Sequence, residues 1–250
     1  MNVIPVIDIR NGVAVHAVSG ERSGYQTIRS RLTSDAQPVE VLKALMANFV
    51  CGDFYVADLD GIEGRGLNHS TITEMVLTGG SLIVDAGVTT ISGAEILLET
   101  GVSKVVLPSE SLRDLSTLEI LLNHLDSDNL VFSIDLRHGN LLIEDPAWQG
   151  RSPLDLARFV IDLGLRKIIV LDLAAVGTGN GVPTLQLCRD IRHMAPEANI
   201  ISGGGVDSIA CVQSAADAGL DGLLIASALH DGRLTPAALK SLNHGQCTSH

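Results

Sequence analysis

Two aspartates in matching settings are the first residues in this 250-residue chain that could do chemistry. Asp8 closes the apolar run Val3-Ile-Pro-Val-Ile-Asp8 and precedes Ile-Arg-Asn-Gly12. Asp135 closes Leu130-Val-Phe-Ser-Ile-Asp135 and precedes Leu-Arg-His-Gly139. Two carboxyl groups whose surroundings separate their pKa values can act together, one as general acid and one as general base. The alternative is that each acid caps a helix or pairs with Arg10 or Arg137. Asp58 and Asp172 form a second pair, in Val56-Ala-Asp58-Leu and Val170-Leu-Asp172-Leu, with Asp60 just beyond the first. They either orient a substrate or Asp8, or are solvated acids in a supporting position.

The glycines suggest a phosphate site. Ser202-Gly203-Gly204-Gly205, then Ala226-Ser227, and earlier Gly177-Thr178-Gly179 each follow an apolar run. Glycine there lets backbone N–H groups approach an anion, although glycine is also the default residue of tight turns.

Eight apolar runs must position these groups: 3–9, 54–59, 81–85, 104–108, 130–136, 167–173, 199–202 and 221–226. All are rich in Val, Ile and Leu at successive positions, the pattern of strands buried on both faces. Helical patterns fall between and after them, at 38–50, 68–78, 92–100, 115–125, 153–163, 183–193, 208–218 and 236–242. Pro38, Pro153 and Pro236 mark helix starts, and Gly101, Gly164 and Gly219 mark helix ends. Eight βα units in this length predict an α/β fold, a (β/α)8 TIM barrel, as one domain over residues 1–244 with a flexible tail at 245–250. The two halves repeat. Ile83-Val-Asp-Ala-Gly87-Val matches Ile201-Ser-Gly-Gly-Gly205-Val, and Leu107-Pro-Ser109 matches Ile225-Ala-Ser227. A duplicated half-barrel places Asp8 and Asp135 opposite one another at the strand ends, where barrels build their active sites.

Composition limits the partners. The hydrophobic fraction of 46% supports a large core, and 17 Lys and Arg against 29 Asp and Glu give a net charge of −12. So acidic a surface disfavours nucleic acid and anionic membranes. No apolar stretch approaches the roughly 18 residues that span a bilayer. The N-terminus has no basic region ahead of an apolar one, which argues against a signal peptide. Cys51, Cys188, Cys211 and Cys247 are widely spaced and read as reduced thiols of a cytoplasmic protein. Scattered histidines without HxH or HExxH predict no metal site. Lys43, Lys104, Lys167 and Lys240 fall on helices or ahead of strands, away from the expected site, which argues against a Schiff base.

Taken in order, Ile4-Pro-Val-Ile-Asp8-Ile-Arg-Asn-Gly12, Val56-Ala-Asp-Leu-Asp-Gly61, Asp135-Leu-Arg-His-Gly139 and Ser202-Gly-Gly-Gly-Val206 resemble the histidine-biosynthesis barrels, nearest the ProFAR isomerase branch. The resemblance runs from Val3 to about Leu242. It implies an Amadori-type aldose–ketose isomerisation of a phosphorylated aminosugar without a cofactor. Asp8 would be the general base and Asp135 the general acid. It also implies a loop tryptophan stacked on the substrate, here Trp148. Phosphate would be held by Gly177, Thr178, Gly203, Gly204, Gly205, Ala226 and Ser227.

Two departures follow. The family's Asp-Gly-Thr after the sixth strand is Val176-Gly177-Thr178 here, without the aspartate. The family's second phosphate loop, after the third and fourth strands, has Asp85-Ala86 in place of two glycines, with Pro108 removing a backbone donor. A carboxylate repels a dianion, so the substrate is expected to carry a single phosphate. The other readings are a diverged paralogue in another pathway, such as one-carbon cofactor biosynthesis, acting as a lyase or synthase, or a non-catalytic phosphate-ligand binding protein.

Overall fold

The computed structural model describes residues 1–245, so part of the expected tail, 246–250, lies outside the described residues. Eight parallel strands run through the chain: β1 Asn2–Arg10, β2 Asp53–Asp58, β3 Ser81–Asp85, β4 Lys104–Pro108, β5 Leu130–Arg137, β6 Lys167–Asp172, β7 Asn199–Gly203 and β8 Gly222–Ile225. Each pairs with the next, and β8 returns to β1 through Asn2↔Gly222 to Pro5↔Ile225. The sheet is therefore a closed (β/α)8 barrel. The helices between and after the strands are α1 Pro38–Asn48, α2 His69–Val76, α3 Ile91–Glu99, α4 Ser116–His124, α5 Pro153–Asp162, α6 Leu185–Met194, α7 Ile209–Asp217 and α8 Pro236–Gly245. The strands fall within one or two residues of the apolar runs, because strands covered on both faces need apolar residues at every position.

The strand pleat divides those residues between two cores. Ile4, Tyr55, Ile83, Val106, Val131, Ile169, Ile201 and Leu224, one from each strand, fill the barrel interior. Their neighbours Ile7, Val56, Leu82, Val105, Phe132, Ile168, Ile200 and Leu223 point outward and pack in the larger cluster beneath the helices. Side chains on a strand alternate between faces, so counting by twos from the interior residues predicts the orientation of every later position. By that count Asp8, Asp85 and Asp135 point inward. Asp58 and Asp172 point outward.

The apolar runs gave no indication of an antiparallel excursion after β1. Val13–His16 pairs back on β1, and Gln26–Thr27 pairs on Val13–His16. Asn11 and Gly12 make the turn with φ of 50° and 74°. A shorter counterpart, Asn140–Leu141, pairs on β5, with His138 and Gly139 at φ of 52° and 78°. The repeated Arg-x-Gly signal thus marks a hairpin in each half.

Phe132 is the largest fully buried side chain and packs between barrel and helices. Phe132→Ala is expected to cost about 3–5 kcal/mol by leaving a cavity, read as a lowered denaturation midpoint in urea without loss of the folded baseline.

Candidate active site

The upper end of the barrel interior opens into a cavity of about 100 Å³. Asp8 from β1, Asp85 from β3 and Asp135 from β5 all line it, as the pleat requires. So do Tyr55 from β2, Glu110 just after β4, and Arg22 and Tyr25 from the segment between β1 and α1. That segment covers the mouth. Ser19 N–H donates to the Val176 carbonyl at 2.7 Å, and Arg31 N–H donates to the His230 carbonyl at 2.8 Å.

The carboxylates are buried at unequal cost. Burial pushes Asp8 up to about 7, opposed by the Arg22 guanidinium and reinforced by Asp85. Burial pushes Asp85 up to about 6, and the Gly87 N–H at 3.0 Å and the Tyr55 hydroxyl at 3.1 Å hold its charged form in part. Asp135 is pushed well above the usual carboxylate range, by burial first and then by the Glu110 charge. The Ser133 hydroxyl donates to one Asp135 oxygen at 2.6 Å and the Glu110 N–H to the other at 3.3 Å. Near neutral pH Asp8 is therefore about half ionised, and Asp135 is held toward its protonated form. Tyr25 is pushed up to about 12, by burial and by Asp8, and remains a hydrogen-bond donor.

The opposite wall holds the glycines. Gly177, Gly204 and Gly205 line the cavity with Ala226 and Ser227. Gly205 has φ of 76°, and a Cβ there would collide with the Gly181 carbonyl, so backbone is left facing the cavity. Gly203 does not line it. Any Cβ on Gly203 would come within 2.7 Å of the Leu224 side chain, so its glycine serves the packing of β7 on β8. Arg233 lines this end and sits close to Gly179, bringing a cation that the sequence motifs did not single out.

Four expected residues sit elsewhere. Asp58 faces away from the cavity. It accepts from Asp60 N–H, Gly61 N–H and Asn68 N–H, at 3.2, 3.3 and 2.7 Å, and so caps the turn after β2. Asp172 accepts from His138 N–H, Gly139 N–H and Ala174 N–H at 3.1, 2.8 and 3.0 Å, and ties the β5 hairpin to the end of β6. Both carboxylates hold backbone in place. The Thr178 hydroxyl donates to the Ala175 carbonyl at 2.8 Å, within its own loop. Trp148 is 7% exposed and packs with its ring tilted against Phe159, the ring centres 5.0 Å apart, with the Arg151 guanidinium 4.7 Å from its ring centre. Its ring is taken up by the scaffold, the alternative reading of a loop tryptophan. Among the described residues no three His, Cys, Asp or Glu side chains converge as a metal site. Among the same residues no helix is long and apolar enough to cross a membrane.

A raised aspartate pKa means that the folded state favours the protonated form. Its stabilising contribution is complete at low pH and is lost as pH rises through the folded pKa. Asp85→Asn removes the buried charge and is expected to raise stability at pH 8 by up to about 3 kcal/mol, with the gain shrinking toward pH 4. Thermal unfolding of both proteins across that range measures it.

The chain was compared with known proteins. The family described as histidine biosynthesis protein matches residues 2–235. An uncharacterized protein of Methanocaldococcus jannaschii is 30% identical over 94% of this chain and 95% of its own. The 1-(5-phosphoribosyl)-5-((5-phosphoribosylamino)methylideneamino) imidazole-4-carboxamide isomerase of Parabacteroides distasonis is 28% identical over 94% of this chain and 96% of its own. The enzyme of the same name from Streptococcus sanguinis is 26% identical over 98% and 99%. With its closed barrel and its match along nearly the whole length, the chain belongs to the histidine biosynthesis protein family.

Proposed function

We propose that this protein is a cofactor-independent isomerase that carries out an Amadori-type aldose–ketose conversion on an aminosugar bearing a single phosphate. The observation that carries this reading is the division of the cavity. Asp8 and Asp135 enter it from strands β1 and β5, while the glycines after β6 and β7 and Ser227 after β8 line the other side. The isomerase names of several relatives agree with it.

The chemistry follows from the two protonation states. Asp135 holds a proton and donates it to the ring oxygen of the aminoaldose. The C1–O bond breaks and the nitrogen lone pair forms a protonated imine. Asp8, as carboxylate, takes the proton from C2. The electrons of that C–H bond move toward the imine and give an enolaminol, which gains a proton at C1 while its C2 hydroxyl loses one, and becomes the aminoketose. Substrate and product have the same composition, so no oxidant, reductant or co-substrate is needed. Asp135 supplies an acid although Val176 stands where the family carries an aspartate after β6. Phosphate binds at the glycine wall, where backbone N–H groups and Arg233 meet it. The Asp85 and Glu110 side of the cavity repels a second phosphate.

Two aminoaldoses separate this reading from its alternatives: the bisphosphorylated substrate of ProFAR isomerase, and the same skeleton lacking the phosphate on the ring side. The single-phosphate compound is expected to turn over and the bisphosphate to turn over poorly, both followed by absorbance. Asp8→Asn and Asp135→Asn should each lower kcat by about 10²–10⁴-fold with phosphate affinity retained. The rate should rise with pH through about 7, as Asp8 ionises, and fall again as Asp135 loses its proton. Efficient turnover of the bisphosphate would contradict the single-phosphate assignment. A product of different mass would favour a lyase or synthase, and phosphate binding with no turnover a binding protein.

A further inference from the structure

The acid and base roles of Asp135 and Asp8 leave one feature of the cavity wall unused. Arg22, in the short turn Arg22–Gly24, forms an ion pair with Glu110. The two side chains are only 25% and 18% exposed, and both line the cavity. Each end is anchored. The Arg22 carbonyl accepts a hydrogen bond from the Arg10 guanidinium, which also reaches Glu63 at 3.5 Å. Glu63 is in turn paired with Arg65, and Arg65 with Asp60 at 2.7 Å. At the other end, the backbone N–H of Glu110 is bound to the Asp135 carboxyl at 3.3 Å. The pair therefore bridges the segment after β1 and the turn after β4, with a fixed direction.

That direction matters because the two aspartates are otherwise alike. Both are inward residues at corresponding strand ends and both lie near Asp85, with Asp135 buried and Asp8 half-buried. Burial raises both, and charged neighbours of opposite sign separate them further. We propose that Arg22 and Glu110 are positioning residues that decide which aspartate carries the proton: the guanidinium keeps Asp8 a carboxylate, and the glutamate keeps Asp135 an acid. The assignment rests on the proton-transfer reading of the site and adds the source of its polarity. The charges around each aspartate agree with it. Asp8 is faced by Arg22, by Asp85 from β3 and by Tyr25, and of these only Arg22 favours its ionised form by charge. Asp135 is faced by the charges of Glu110 and Asp85, both of which oppose ionisation, and by the Ser133 hydroxyl and the Glu110 N–H, whose hydrogen bonds favour it. Tyr55 lies below all three aspartates. Neither Arg22 nor Glu110 belongs to the repeat that relates the two halves, so the pair is where the pseudo-twofold symmetry is broken for chemistry.

The test reads the carboxyl groups directly. The full-length protein is labelled with ¹³C at the aspartate carboxyls and titrated by NMR. Asp8→Asn and Asp135→Asn proteins identify the two signals. Arg22→Gln should raise the Asp8 midpoint by about one unit or more and move Asp135 less. Glu110→Gln should lower the Asp135 midpoint by a similar amount, about one unit, and move Asp8 less. Arg22→Lys keeps the charge and should leave Asp8 near its wild-type midpoint. It also serves as the informative variant should Arg22→Gln not fold, together with Glu110→Gln. A folded variant whose own aspartate does not move, or moves no more than the other, overturns the proposal. The titration needs no substrate. Shifts as stated, in a protein that isomerises no aminoaldose, would count against the proposed function and not against the pair.

Discussion

A strand closed into a barrel and covered by helices offers each side chain only two directions, and the rest of this molecule depends on that constraint. The interior residues Ile4, Tyr55, Ile83, Val106, Val131, Ile169, Ile201 and Leu224 set the count on all eight strands. Two or four positions further along, the interior reaches its upper end, and there Asp8, Asp85 and Asp135 have nowhere to point but into a shared cavity. The same count turns Asp58 and Asp172 outward, where their carboxylates collect backbone N–H groups and hold the loops that shape the cavity rim. A one-residue slip in any strand would exchange these roles.

Converging three carboxylates in a low-dielectric interior has a cost, and the structure distributes it unevenly. Asp85 accepts hydrogen bonds from Gly87 and Tyr55, Asp8 lies near Arg22, and burial with the Glu110 charge pushes Asp135 toward its protonated form. The unevenness is useful. Acid–base chemistry needs two groups in different protonation states at one pH, and environment alone can supply that difference. The duplicated architecture gives two equivalent half-sites. Divergence has made one half a glycine wall and the other an acidic one, with Asp85 standing where the second half has Gly203.

Much of this was legible in the residues. Strands buried on both faces read as unbroken Val, Ile and Leu runs, and a proline start or a glycine stop marks five of the eight helices, so the barrel followed from counting. The repeat picked out Asp8 and Asp135 because a duplicated motif brings its copies to equivalent places. Asp58 and Asp172 were legible too, since their odd spacing from Tyr55 and Ile169 already turns them outward. A symmetric pair drew attention ahead of parity. Trp148 was not legible, because its partners Phe159 and Arg151 meet it only once α5 is packed. Nor were Arg22, Glu110 and Arg233. Each lies in a connecting segment without periodicity, and each matters through what lies opposite it in space.

The central claim is that Asp8 removes a carbon-bound proton from a single-phosphate aminoaldose and that the skeleton is otherwise unchanged. Running the reaction in D₂O on the aminoaldose monophosphate, with products read by mass and NMR, tests it most directly. The account predicts an aminoketose of unchanged composition carrying solvent deuterium at C1, formed by the wild type and not by Asp8→Asn. A product of altered composition, or undiminished formation of the aminoketose by Asp8→Asn, would contradict it.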